Sequence, residues 1–142
     1  VQRLGAAKPA AVAGDYSGDC ILGCDTVVAV GRRILNKAET AEDARRFLTL
    51  LSGRRHRVLG GLTVIGPDGR AHHRLVSTAV AFRRLEKGDI DAYIASDEWH
   101  GKAGGYAIQG QAAAFVRKII GSHSNVVGLP LFETAQLLKG LG

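Results

Sequence analysis

The amino-acid sequence predicts an α/β fold, a mixed sheet flanked by helices, and three observations carry that prediction. Residues 21–30, ILGCDTVVAV, are rich in aliphatic and β-branched side chains and have the composition of a buried strand. Phe47, Leu48, Leu50 and Leu51 form the apolar stripe of a helix over 41–51. Two further apolar runs, 56–66 and 72–85, flank Pro67-Asp68-Gly69-Arg70, the composition of two antiparallel strands joined by a turn. Strands and helices mixed along one chain give α/β or α+β architecture; the pattern alone leaves the strand order open.

The elements follow in order. Residues 3–13, RLGAAKPAAVA, are Ala-rich and helix-like, with Pro9 suited to a first turn. The strand over 19–30 returns through Gly31 into a short second strand ending at Leu35. Thr40 and Asp43 form a weak capping box for the helix over 41–51, which Ser52–Gly53 ends. After the hairpin, 86–96 reads as a short amphipathic helix with Ile90, Tyr93 and Ile94 on one face. A glycine-rich segment over 100–110 precedes a strand over 113–121. The final helix spans 129–140, with Pro130 in its first turn and Gly140 at its end.

At 142 residues, 46% hydrophobic and 23% charged, the chain suits one compact domain whose core needs no disulfide or structural metal. Cys20 and Cys24 read as small core residues, and two cysteines so placed point to a reducing compartment. No run approaches a membrane span and no signal-peptide pattern opens the chain, so the expected location is cytoplasmic, with no membrane partner. The net charge of +6 favours an anionic partner. Aromatics amount to only 6% and do not interleave with Lys and Arg, which disfavours nucleic acid as that partner. Clusters such as Arg54-Arg55-His56-Arg57 read mainly as solvated surface.

Four places can carry chemistry. Asp25, a carboxylate inside an apolar strand, can hold a divalent metal or accept a proton from water; its plain alternative is to accept backbone N–H groups in a turn. Thr26 follows it on the opposite face. Lys37 precedes a helix N-terminus, where an ammonium can meet a phosphate or simply be solvated. The segment 100–110 concentrates Gly101, Gly104, Gly105 and Gly110 around Gln109, yet matches neither the phosphate-binding loop nor the dinucleotide fingerprint. An amide there suits the edge of a base, or sits in a plain turn. Ser122, His123, Ser124 and Asn125 lack the elbow and acidic partner of a hydrolase triad, and read as a loop whose polar groups support a site or satisfy backbone.

Together CDTVV, ILNKAETAEDARRFLTLLSGRRHRV, KAGGYAIQG and GSHSNVVGLPLFET resemble, in order and spacing, the Maf family of nucleoside triphosphate pyrophosphatases, from about Lys8 to Leu138. The resemblance implies a two-lobed α/β fold with a central cleft, related to the inosine triphosphate pyrophosphatases, and allows a homodimer. It implies cleavage of a nucleoside triphosphate between the α and β phosphates, giving the monophosphate and pyrophosphate, with magnesium or manganese as cofactor. It makes Asp25 the catalytic and metal-associated carboxylate, Thr26 its neighbouring substrate contact, Lys8 a phosphate-binding lysine and Lys37 the lysine of the family's GKP loop, both lysines counted with Asp25 as catalytic. Gln109 matches the subgroup that prefers dTTP and UTP.

Cys24 and Ala38 stand where the family usually has alanine and proline, both small changes. The family's N-terminal strand and its S-x-S-P-R-R loop do not appear in these residues, so the expectation is an N-terminally truncated single domain of weak or no activity. The alternative is a catalytically impaired regulator of septum formation that acts by binding.

Overall fold

The computed structural model describes residues 20–141. The helix expected over 3–13, with Lys8, lies outside the described residues. The elements run β1 (Ile21–Val30), β2 (Arg33–Leu35), α1 (Ala41–Leu51), β3 (Arg55–Ile65), β4 (Ala71–Phe82), α2 (Lys87–Ala95), a 3₁₀ turn (Gln111–Phe115), β5 (Val116–Ile120), α3 (His123–Val127) and α4 (Leu131–Leu141). The five strands form one sheet in the order β2-β1-β3-β4-β5. β1 pairs antiparallel with β2, and β4 with β5. This is the expected α/β architecture.

Local chemistry sets the boundaries. Val30 and Arg33 are paired across a two-residue loop whose Gly31 has φ +57, the left-handed geometry that a tight hairpin between twisted strands needs. Thr40 caps α1 by accepting the Asp43 backbone N–H at 3.1 Å. The Asp43 carboxylate accepts from the Glu39 backbone N–H at 3.3 Å, one residue before the cap, so the reciprocal half of the box is displaced. The β3–β4 turn closes with Gly66 and Arg70 bonded at 3.0 Å, and Asp68 accepts the Arg70 N–H at 3.0 Å. At α2, the Asp89 carboxylate accepts from the Glu86 backbone N–H at 2.8 Å and from Arg83 at 3.1 Å. The Arg83 hydrogen bond holds the Asp89 carboxyl below its ordinary value.

Four expectations are corrected. The strand expected over 113–121 begins at Val116, because Gln111–Phe115 winds into a 3₁₀ turn that buries Ala112 and Phe115. The loop over 121–130 contains the short helix α3, missed because five residues carry no helical periodicity. The last helix begins at Leu131, with the Pro130 carbonyl accepting the first helical N–H, and Gly140 lies inside it. Cys20 is exposed, while Cys24 packs as expected.

The chain divides into two compact units, one comprising the residues through Thr26, Leu59–Ser77 and those from His123 onward, the other Val27–Val58 and Thr78–Ser122. The first has Leu62, Val64 and Leu137 at its centre, with Cys24, Leu129 and Leu141 packed against them. The second is built around aromatic rings that meet edge-on: His56, Phe82, Tyr93, Tyr106 and Phe115. Among the described residues, no helix is long and apolar enough to cross a membrane.

Candidate active site

Asp25 and Thr26 belong to the first unit. Strand alternation turns Cys24 toward the Leu62–Val64–Leu137 cluster and therefore Asp25 to the other face of β1. Both Asp25 and Thr26 are half-buried, and the Asp25 Oδ2 atom is shut off from solvent.

The polar run after β5 is structural where its bonds are defined. The buried Asn125 donates from Nδ2 to the Val76 carbonyl at 3.1 Å. Ser124 Oγ accepts from the Leu131 N–H at 3.0 Å at the start of α4, and the Thr134 hydroxyl donates to the Pro130 carbonyl at 2.7 Å. These bonds match the expected loop whose side chains satisfy backbone groups.

Lys37 and Gln109 belong to the second unit, where the two loops that carry them are laced together. Lys37 forms an isolated β-bridge with Ala103. Around it the Ala38 N–H donates to Lys102 at 3.0 Å, Gly101 to Ala38 at 2.8 Å and Gly104 to Asn36 at 3.2 Å. Gly104 (φ +70) and Gly105 (φ +78) take left-handed conformations against Val28 and the Ala44 backbone. The glycines therefore bring the loop's backbone close to β1 and α1. Lys37 and Gln109 themselves are exposed. The Gly110 N–H donates to the Ala107 carbonyl at 3.2 Å and holds Gln109 in a turn.

His56 is the residue that sequence reasoning missed. It stands in the sequence among surface arginines, yet it is only 1% exposed while Arg54, Arg55 and Arg57 are exposed. Its Nε2 lies 2.6 Å from the Tyr106 hydroxyl. Burial lowers the His56 pKa to about 4, keeping the ring neutral, and pushes the Tyr106 phenol up. Period-two alternation was the available signal, since His56 and Val58 share a face of β3.

No group of three or more His, Cys, Asp or Glu side chains converges as a metal cage among the described residues. Magnesium does not require one, because it is commonly held by one or two carboxylates together with waters and substrate phosphates. The partly buried carboxylate of Asp25 is of the type such a donor set uses.

Comparison with known proteins agrees with this frame. A family model described as "Maf-like protein" matches residues 1–141. The chain is 62% identical, over 99% of its length and 74% of the relative's, to a dTTP/UTP pyrophosphatase of Paramagnetospirillum magneticum. It is 58% identical to one of Rhodospirillum rubrum over 99% of this chain and 67% of that protein. It is 66% identical to one of Granulibacter bethesdensis over 86% of this chain and 57% of that protein. A match that runs through both units and all four motifs leaves one assignment: the chain belongs to the Maf family.

Proposed function

We propose that the protein carrying this sequence hydrolyses nucleoside triphosphates, with dTTP and UTP preferred, to the monophosphate and pyrophosphate, and so clears the nucleotide pool of the cytoplasm. The observation that carries this is the 62% identity across 99% of the chain with a protein named for that activity. Asp25 orients water and accepts its proton as it attacks between the α and β phosphates. The ammonium groups of Lys37 and Lys8 neutralise charge that develops on phosphoryl oxygens. Thr26 contacts substrate beside Asp25, and the Gln109 amide hydrogen-bonds the edge of the pyrimidine. A divalent cation, magnesium or manganese, bound at Asp25 would add electrostatic stabilisation of the phosphates. The alternative of a regulator acting by binding alone draws no support from these relatives, each of which is named as an enzyme.

The test is a panel of nucleoside triphosphates with magnesium, scoring pyrophosphate against orthophosphate. Release of pyrophosphate, fastest from dTTP and UTP, is expected. Orthophosphate as the first product, or no turnover of any nucleotide once the family's S-x-S-P-R-R segment is joined to this sequence, overturns the assignment.

A further inference from the structure

We infer that His56, Tyr93 and Glu98 form a clamp that positions the base-selecting loop, and that this clamp, rather than Gln109 alone, sets the preference among bases. The inference rests on the reading of Gln109 as the residue that meets the base. Three hydrogen bonds fasten the loop on both sides of Gln109. His56 Nε2 holds the Tyr106 hydroxyl at 2.6 Å. The Tyr93 hydroxyl accepts the Ala107 N–H at 3.0 Å, and the Glu98 carboxylate accepts the Gln111 N–H at 3.0 Å.

The anchors are rigid because of where they sit. Tyr93 is 1% exposed, and its ring meets Phe115 edge-on. Tyr106 is wedged between His56 and Phe82. Glu98 lies so close to Gly110 that a β-carbon there would collide with its carboxylate. Ile108, next to Gln109, is buried as well. Gln109 is thus an exposed amide on a backbone tied down by buried groups from β3 and α2 and by the half-buried Glu98 in the turn after α2.

A surface turn with no task does not need a buried imidazole, yet here the His56 Nδ1 is buried without a hydrogen-bond partner among the described residues. Two-point recognition of a base edge requires the reading amide to be held within about 0.5 Å and 10–20°. Three fixed points around one free side chain supply that constraint. His56, Tyr93 and Glu98 are therefore positioning residues and do not themselves contact the nucleotide.

The experiment compares kcat/KM for dTTP with that for dGTP in the intact protein and in Tyr106→Phe, Glu98→Ala, Glu98→Gln and Gln109→Ala. Tyr106→Phe keeps the ring and removes only the hydroxyl, and Glu98→Gln keeps an acceptor for the Gln111 N–H. We expect Tyr106→Phe and Glu98→Ala to lower the dTTP/dGTP ratio at least tenfold through a higher KM for dTTP, with kcat within threefold. Glu98→Gln should restore the ratio to within threefold of the unsubstituted protein. A ratio that falls in Gln109→Ala but is unchanged in Tyr106→Phe and Glu98→Ala overturns the clamp and leaves the base-reading role standing. A ratio unchanged in Gln109→Ala overturns both.

Discussion

The buried amide of Asn125 fills the space where a β-carbon on Gly60 would stand. Helix α3 therefore approaches β3 at a position where only glycine fits, and the same amide donates to Val76 on β4. Gly60→Ala should lose about 1–3 kcal/mol of stability, because a fully buried side chain has nowhere to move. Asn125→Ala should lose a similar ~1–3 kcal/mol by leaving the Val76 carbonyl unpaired. The two changes share one space, so Gly60→Ala should cost less in an Asn125→Ala background. Urea unfolding of the four members of this cycle measures the coupling; strictly additive losses would refute the shared-space account.

His56 predicts a pH dependence of stability. Burial lowers its pKa from 6.5 to about 4, so the unfolded chain binds the proton more tightly than the folded one. Between those values the unfolded state holds more protons, and stability rises with pH. The full contribution is present above pH 6.5 and falls away on acidification, by about 2 kcal/mol at pH 5 and about 3 kcal/mol below pH 4. In His56→Gln, which cannot titrate, the difference in urea midpoint between pH 7 and pH 5 should shrink accordingly. An unchanged difference would place the acid sensitivity elsewhere.

How much of this could be read in advance differs from residue to residue. Helix α1 was legible to the residue because a cap, a stripe and a terminating glycine agree at Thr40, Phe47 and Gly53. The strand after the glycine-rich segment was misplaced by three residues because Ala113, Ala114 and Phe115 suit a strand or a turn, and the buried Phe115 ring settles it through contacts with Phe82 and Tyr93. Helix α3 was invisible for the same reason: Asn125 is held by Val76, 49 residues earlier in the chain. Among the residues proposed to carry function, Asp25, Lys37 and Gln109 stand out by local incongruity or family motif. His56 did not, because a histidine among arginines looks like surface until the strand's alternation is counted.

The left-handed glycines of the 101–105 loop should separate strain from collision. Gly101 has φ +73 and nothing among the described residues within 4 Å of an added β-carbon, whereas that carbon on Gly105 would sit 3.3 Å from the Ala44 α-carbon. Gly101→Ala should cost about 1–2 kcal/mol, the price of a left-handed conformation with a side chain. Gly105→Ala carries that strain and must also push on the α1 backbone, so its loss should be larger and its thermal midpoint lower. Gly104→Ala should likewise cost more than Gly101→Ala, since the β-carbon there would press on the buried Val28 side chain at 3.0 Å. Equal losses in all three variants would mean that the close approach to α1 contributes nothing.

Asp25→Asn tests the chemical core of the functional proposal. The substitution keeps the side chain's size on β1 and removes the charge that accepts a proton. Loss of a positioned base typically costs 10²- to 10⁴-fold, so kcat for pyrophosphate release should fall by about that factor, equivalent to about 3–5 kcal/mol in the barrier. Nucleotide affinity measured without divalent cation should change far less, because the proposed contacts of Lys37, Thr26 and Gln109 are untouched; a fluorescent dTTP analogue titrated under those conditions reads this separately. A protein that works by binding alone would pass through the substitution with its partner affinity intact and would have no turnover to lose. Wild-type rates in Asp25→Asn would move the base to another residue, and a parallel collapse of affinity and kcat would make Asp25 a binding group instead.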